Sequence, residues 1–387
     1  MKRNNDEEPN RPTANRAIGW QALVAINLIL GAKLMAASDP LDTWHQRPAV
    51  PENALAFGNG MYVAVGENGQ IWTSPDALGW TSRVSGTTNR LRDVAFGNGT
   101  FMAVGDYYTI VTSTNGVDWV AKSSAASSPY VDVAYLNGQF VVMLWEGGRT
   151  FVYEGGIQRS VLTAFLVRVT YGNGRYVAVG ESNIFAPGGS IVAVSTNLVS
   201  WDFFWPEFLS MGLLTDVAHI NGIFVAFGQD PGLFWSSDGI QWNRSQQGQF
   251  RSFFGVTYGD GFFLLGGPSG SLATSADGEH WTVRDTGVTN GLGHAIFANH
   301  TFLIPSSQFF LQSDPITTLQ FTGTSPVELS IDGPPGRVCD IESRDGLQNT
   351  NTWQVADTIT LTNPPTVWRD SNSISQPHRF YRVIVKP

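Results

Sequence analysis

Asp93-Val94-Ala95-Phe96-Gly97-Asn98-Gly99-Thr100-Phe101-Met102-Ala103-Val104-Gly105 reads as two alternating apolar strands joined by a tight turn, because Asn and Gly tolerate the positive φ angles of short hairpins. Versions of this run recur seven times. Their central residues are Asn59, Asn98, Asn137, Asn173, Asn221, Asp260 and Asn299, with steps of 39, 39, 36, 48, 39 and 39 residues. A period near 40 is that of propeller blades of four strands. The reading is therefore an all-β chain, a seven-bladed β-propeller.

In each unit a third strand leads toward Ser-x-Asp/Asn-Gly-x-x-Trp. The pattern stands at Ser113 to Trp119, Ser236 to Trp242 and Ser275 to Trp281, with looser copies at Ser74 to Trp80 and Ser195 to Trp201. Here the Ser hydroxyl and the Asp or Asn side chain can bond nearby backbone groups, while the Trp offers a large apolar ring. Trp80, Trp119, Trp201, Trp242 and Trp281 are thus structural residues, each closing a turn. On these motifs residues 54 to about 322 resemble the Asp-box, or BNR-repeat, propellers, which include sialidases, sortilin-type receptors and photosystem II assembly factor-like proteins. The resemblance implies the fold and says little about function, since that group mixes enzymes, receptors and assembly factors.

The third unit lacks the Trp turn, and the seventh has Leu319 where Trp is expected. Trp44, upstream of the first unit, resembles the missing end. Either the strand around Trp44 closes the ring by pairing in the seventh blade, removing an exposed edge, or Thr318 to Phe321 supplies that strand and Trp44 packs outside.

The 387 residues carry 42 Gly and 20 Pro, 14% charged residues and a net charge of −9. Scattered basic residues on an acidic chain argue against a nucleic-acid partner. Residues 1–37 read as an export signal, with Lys2, Arg3, Arg11 and Arg16 before an apolar stretch from Ala17 to Ala32 and the small Ala36 and Ala37 after it. Cleavage or retention as a single-span anchor are both open, and an uncleaved segment would be the one membrane contact. The expected product is exported, to the periplasm, cell surface or medium, and monomeric. Residues 38–325 form the propeller and 326–387 a small C-terminal β module, whose role is either attachment or capping. Cys339, the single cysteine, excludes an intrachain disulfide and reads as a buried strand residue.

Function is sought where the repeat breaks. Eight residues after each central Asn comes the loop between second and third strands, and blades one to five each place a carboxylate there: Glu67, Asp106, Glu146 beside Trp145, Glu181, and Asp230 beside Gln229. Blade four inserts seven residues after Glu181, and the next connection carries Phe203, Phe204, Trp205 and Phe208. With Tyr107, Tyr108 and Trp145, these suggest a binding face on which carboxylates bond hydroxyls and rings stack, suited to a carbohydrate or a protein ligand. The hypothetical ligand set is Glu67, Asp106, Tyr107, Trp145, Glu146, Glu181, Trp205 and Asp230. The plainer alternative is that acidic residues end strands on a solvated rim and aromatics fill the cores between blades.

An enzyme is the second reading, as a glycoside hydrolase with paired carboxylates. Sialidases of the resembling group hold a carboxylate with three arginines; Arg47, Arg90, Arg92, Arg168 and Arg251 are candidates, but no Arg-Ile-Pro run precedes the repeats. No catalytic residue is assigned. Dispersed histidines without His-Glu-x-x-His give no metal site, and the Gly-Asn-Gly runs lack the third Gly and following helix of a nucleotide loop, so no cofactor is expected.

Overall fold

The computed structural model describes residues 40–385 except 51, 124–127, 183–188, 206–213, 229–232, 245–252, 279, 325–326, 346–352, 363–364 and 372–378. The regular structure of the described residues is almost all strand, and no helix among them is long and apolar enough to cross a membrane. Seven four-stranded antiparallel sheets follow one another: sheet one (54–83), two (91–122), three (130–162), four (164–204), five (214–244), six (255–284) and seven (296–313), the last completed by Trp44–Pro48. First strands of consecutive sheets lie side by side, and that of sheet seven reaches that of sheet one. The circle closes.

Closure is made by the N-terminal strand. Trp44–Pro48 pairs antiparallel with Phe309–Ser313, from Trp44 opposite Ser313 to Pro48 opposite Phe309. His45 Nε2 lies 2.7 Å from Asp314 Oδ1 and Arg47 Nε donates to Gln312 Oε1 at 2.8 Å. Thr318–Thr324, the alternative closing strand, pairs instead with Val327–Asp332 in a C-terminal sheet. The boundary expected at 325/326 falls between the two strands of that pair. A second C-terminal sheet places Val338–Asp345 between Gln354–Thr360 and Arg379–Val385. Leu329, Ile331, Cys339, Ile341, Leu361 and Tyr381 form its core, and burial raises the Cys339 thiol pKa.

Each remaining apolar cluster joins two neighbouring sheets. Sheets one and two share Val63, Ile71, Leu91 and Phe101; sheets four and five share Val177, Val192, Phe224 and Trp242; sheets seven and one share Leu303, Phe310, Leu55 and Tyr62. Fully burying one such aliphatic or aromatic side chain contributes roughly 1.5–3 kcal/mol. The stability of this body therefore lives mainly between sheets, and a ring without its last strand would leave one such interface incomplete.

The Gly-Asn-Gly run has two separate causes. Asn98 and Gly99 have φ of 46° and 69°, and the other six turns likewise put two successive residues at positive φ, as a two-residue hairpin requires. The first glycine has a different reason. A Cβ on Gly97 would fall 1.9 Å from the Tyr135 ring of the next sheet, and one on Gly172 would fall 2.0 Å from His219. Close packing of the next sheet's ring selects glycine there, a reason the turn alone does not supply.

The Trp turns form as the residue types suggest. At Ser236 the hydroxyl accepts from the Gly239 N–H at 2.8 Å, Asp238 Oδ1 accepts from Ile240 and Gln241 N–H at 2.8 Å, and Trp242 Nε1 donates to the Gly239 carbonyl at 3.1 Å. Trp242 and Trp281 are buried, whereas Trp80, Trp119 and Trp201 are half-buried. In sheet three the turn is replaced by Gly155-Gly156, at φ 57° and 82°, and the outer strand extends to Ile157–Leu162.

Candidate functional site: a charged centre beneath a pocket

Five residues before each central Asn stands one position of the first strand or its approach: Ala54, Asp93, Asp132, Arg168, Asp216, Gly255 and His294. In sheets two to five this position lies at a bulge, where pairing skips Arg92, Val131, Val167 and Thr215. A bulge re-aims the side chain beside it. Four bulges in successive sheets bring three carboxylates round one guanidinium.

Arg168 Nη1 donates to Asp93 Oδ2 at 2.8 Å and to Asp132 Oδ1 at 2.6 Å, and its Nε lies 3.5 Å from Asp216 Oδ1. The carboxylates also tie strands of adjacent sheets together. Asp93 Oδ2 accepts the Val133 N–H at 3.1 Å and Asp132 Oδ2 accepts the Val169 N–H at 3.0 Å. His294 Nε2 lies 3.4 Å from Asp216 Oδ2 and 3.2 Å from the Val256 carbonyl.

Three buried acids share one guanidinium, which cannot neutralise all of them. Burial first, and Asp93 beside it, push the Asp132 carboxyl up to about 8 against the opposing pull of Arg168. Burial also disfavours the Arg168 charge, but Asp93, Asp132 and Asp216 outweigh it and hold that pKa above its usual range. The cluster therefore keeps Arg168 charged and disfavours ionisation of all three acids together.

Above this cluster opens a pocket of about 350 Å³. Asp93, Arg168 and His294 of the cluster line it together with Glu52, Arg92, Ser306 and Phe254. Burial pushes Glu52 up to about 7. Ser306 is 7% exposed and its Oγ has no hydrogen-bond partner among the described residues, whereas Phe254 is 49% exposed. Ser307, the seventh sheet's loop position, also lines the pocket. The pocket thus opens on the face that carries the loops between second and third strands, while the Asn-Gly turns close the opposite ends of the first strands.

None of the described residues of the ligand set expected from the sequence lines this pocket. Glu67 pairs with Arg90, just before the first strand of the next sheet, at 2.8 Å, and Asp106 with Arg92, at the bulge of its own sheet's first strand, at 2.5 Å. Glu146 accepts from Tyr108 Oη at 2.9 Å and from Ser128 Oγ at 2.8 Å. Trp145 packs edge-on against Phe165 with centroids 4.7 Å apart, and Glu181 sits half-buried opposite Phe165 and Ser190. Tyr107 and Trp205 are exposed. Asp230, Phe208 and most of the blade-four insertion lie outside the described residues, as does residues 1–37.

The arginine candidates do not form an open carboxylate clamp: Arg90, Arg92 and Arg168 each face the chain's own carboxylates, Arg47 bonds Gln312, and Arg251 lies outside the described residues. The central cluster was absent from the sequence-based site. Its signal was the constant five-residue offset before each turn, masked because Asp93 and Asp132 stand at the head of otherwise apolar strands.

A second charged group lies at the other end of the strands. Asp260, His300 and Asp332 bring donor atoms within 4.8 Å of one another. The two ring nitrogens serve different carboxylates, Nδ1 facing Asp260 at 2.7 Å and Nε2 facing Asp332 at 3.8 Å.

No protein-family model matches the chain, and no curated protein sequence matches it. Solved structures do. YCF48 bound to D1 peptide is 17% identical with a TM-score of 0.55, over 70% of this chain and 97% of that one. YCF48 from Cyanidioschyzon merolae is 16% identical at 0.53, covering 70% and 98%. The WD40 β-propeller domain of Doa1 is 11% identical at 0.52, covering 70% and 96%. This chain has a β-propeller fold. At these identities the likeness extends to fold alone.

Proposed function

We propose that this protein is a binding propeller whose ligand is a polypeptide seated over the central pocket, on the face of the loops between second and third strands. The observation that carries the reading is the pocket itself: a half-exposed Phe254 on its wall, a buried Ser306 hydroxyl without a partner, and charged groups held rigidly beneath. A concavity on which fixed polar groups converge beside an exposed ring is a candidate recognition site. That YCF48 has been seen bound to a D1 peptide fits a polypeptide ligand on this fold. The Ser, Asp/Asn and Trp turns further support placing the chain with the Asp-box propellers.

The test is selection from a displayed random-peptide library with the purified protein and with Phe254→Ala, after matching their unfolding transitions. Wild-type enrichment that Phe254→Ala loses is the expected result. Equal enrichment by both would sink the placement over the pocket.

A carbohydrate ligand is favoured by one observation, the exposed rings of Tyr107 and Trp205 at 47% and 45%. A glycan array run with wild type and Tyr107→Ala tests it, and no wild-type binding would remove it. Glycoside hydrolysis would need an acid and a second free carboxylate; Glu52, raised to about 7, suits the acid, but Asp93 and Asp132 already hold Arg168. Export through residues 1–37 is part of the proposal, and cell fractionation of the tagged full chain tests it.

A further inference from the structure

We propose that the central pocket receives the cationic end of a lysine or arginine side chain, presented by the polypeptide of the reading above, on which this inference rests. The pocket and the groups behind it hold the carboxyls of Glu52, Asp93, Asp106, Asp132 and Asp216 against the guanidiniums of Arg92 and Arg168 and the imidazole of His294. Both guanidiniums are already engaged, Arg92 by Asp106 and Arg168 by the three central acids. An anionic ligand would meet more carboxyls than cations. Even with protons on Glu52 and Asp132, whose carboxyls are pushed up, Asp93, Asp106 and Asp216 outnumber the two guanidiniums, so an incoming cation would find an excess of negative charge in a partly enclosed site, where Coulomb attraction is screened less than in water.

The acceptors are also in place. Ser306 Oγ lines the pocket with no partner, and Glu52 lies on the same wall. Outside the lining but 3.4 Å from the lining His294 Nε2, Asp216 Oδ2 is buried without a hydrogen bond among the described residues. Unsatisfied buried acceptors are costly, and a donor that reaches them recovers that cost. An ammonium or guanidinium brings several donors and no acceptor. The aliphatic stem of such a side chain can lie along the exposed Phe254 ring while its head reaches inward. Free amines share this chemistry, so they form a separate arm of the test.

Calorimetric titration compares blocked tripeptides Ac-Ala-X-Ala-NH₂, with X as arginine, lysine, citrulline or glutamate, and free agmatine. The arginine or lysine peptide should bind, with citrulline and glutamate weaker by about tenfold or more, since each tenfold step reflects one lost charged contact. Glu52→Gln and Ser306→Ala should each weaken the basic peptide several-fold while still unfolding in a single cooperative calorimetric transition well above the titration temperature. Binding of no peptide, equal binding of citrulline or glutamate, or indifference to both substitutions would overturn the inference. Agmatine binding more tightly than the arginine peptide would overturn the side-chain assignment. A peptide library enriched without basic residues would leave the polypeptide reading standing and refute this one.

Discussion

His300 Nδ1 lies 2.7 Å from Asp260 Oδ2, and these two residues are the two departures from the Asn-Gly pair among the seven hairpin turns. Asp260 stands where the other six turns have Asn, and His300 stands at φ +61° where the others have Gly. A side chain held at positive φ costs about 1–2 kcal/mol relative to glycine. The contacts to Asp260 and, at 3.8 Å, to Asp332 of the C-terminal sheet offset that cost.

His300→Gly should therefore change stability little, because strain relief and lost contacts oppose one another. The contact itself should appear in a double-mutant cycle with Asp260→Asn as a coupling of about 0.5–1 kcal/mol. Denaturant unfolding of the four proteins measures it. Strict additivity would show that the two departures meet without interacting.

Two glycines of one turn should respond differently to alanine. Gly99 has φ +69° and open space around its missing Cβ, so Gly99→Ala should cost about 1 kcal/mol of backbone strain. Gly97 would drive its Cβ into the Tyr135 ring, so Gly97→Ala should cost about 1–3 kcal/mol as an overpacked interface. Adding Tyr135→Ala should recover stability in the Gly97 variant and none in the Gly99 variant, as read by thermal unfolding.

At the centre, Arg168→Ala would strand three buried carboxylates and should destabilise by about 3–5 kcal/mol. Asp132→Asn is the sharper test. Asn keeps an acceptor oxygen for Arg168 but sets its amide N–H₂ against the Val169 N–H that Oδ2 accepts, so it should cost about 1–3 kcal/mol, less than Arg168→Ala. A loss comparable to that of Arg168→Ala in urea unfolding would show that Asp132 matters to the cluster as much as the guanidinium does.

Glu52 gives stability a pH dependence of defined sign. Its carboxyl rises from 4.5 to about 7 in the folded chain, so the native state holds a proton that the unfolded chain releases within that window. Stability should fall as pH rises from about 4.5 to 7 and then level off. Allowing for partial exposure, the Glu52 share is about 1 kcal/mol. Asp132 acts in the same direction, so the measurement is the difference between wild type and Glu52→Gln at each pH. The variant should gain on wild type up to pH 7, and a constant difference would refute the raised pKa.

The repeat period, the alternation of each strand and the paired turn residues were sufficient to read a propeller, because hairpin geometry and strand patterning are local and survive without neighbours. The Ser-x-Asp-Gly-x-x-Trp turns were legible for the same reason: their bonds span two to three residues. The site was less legible. None of the described loop carboxylates lines the pocket, and Glu67 and Asp106 pair with arginines whose position depends on bulge geometry and strand order.

What the sequence determined alone was the sheet unit, its repetition and the conformation of its turns. Tertiary structure decided the rest: that Trp44–Pro48 and not Thr318–Thr324 completes sheet seven, that Gly97 is small for the sake of Tyr135, and that Asp93, Asp132 and Asp216 converge on Arg168. Those contacts join residues of different sheets, tens to hundreds of positions apart. Only closure of the circle brings such positions within hydrogen-bond range, so their chemistry exists in the folded ring and in no single repeat.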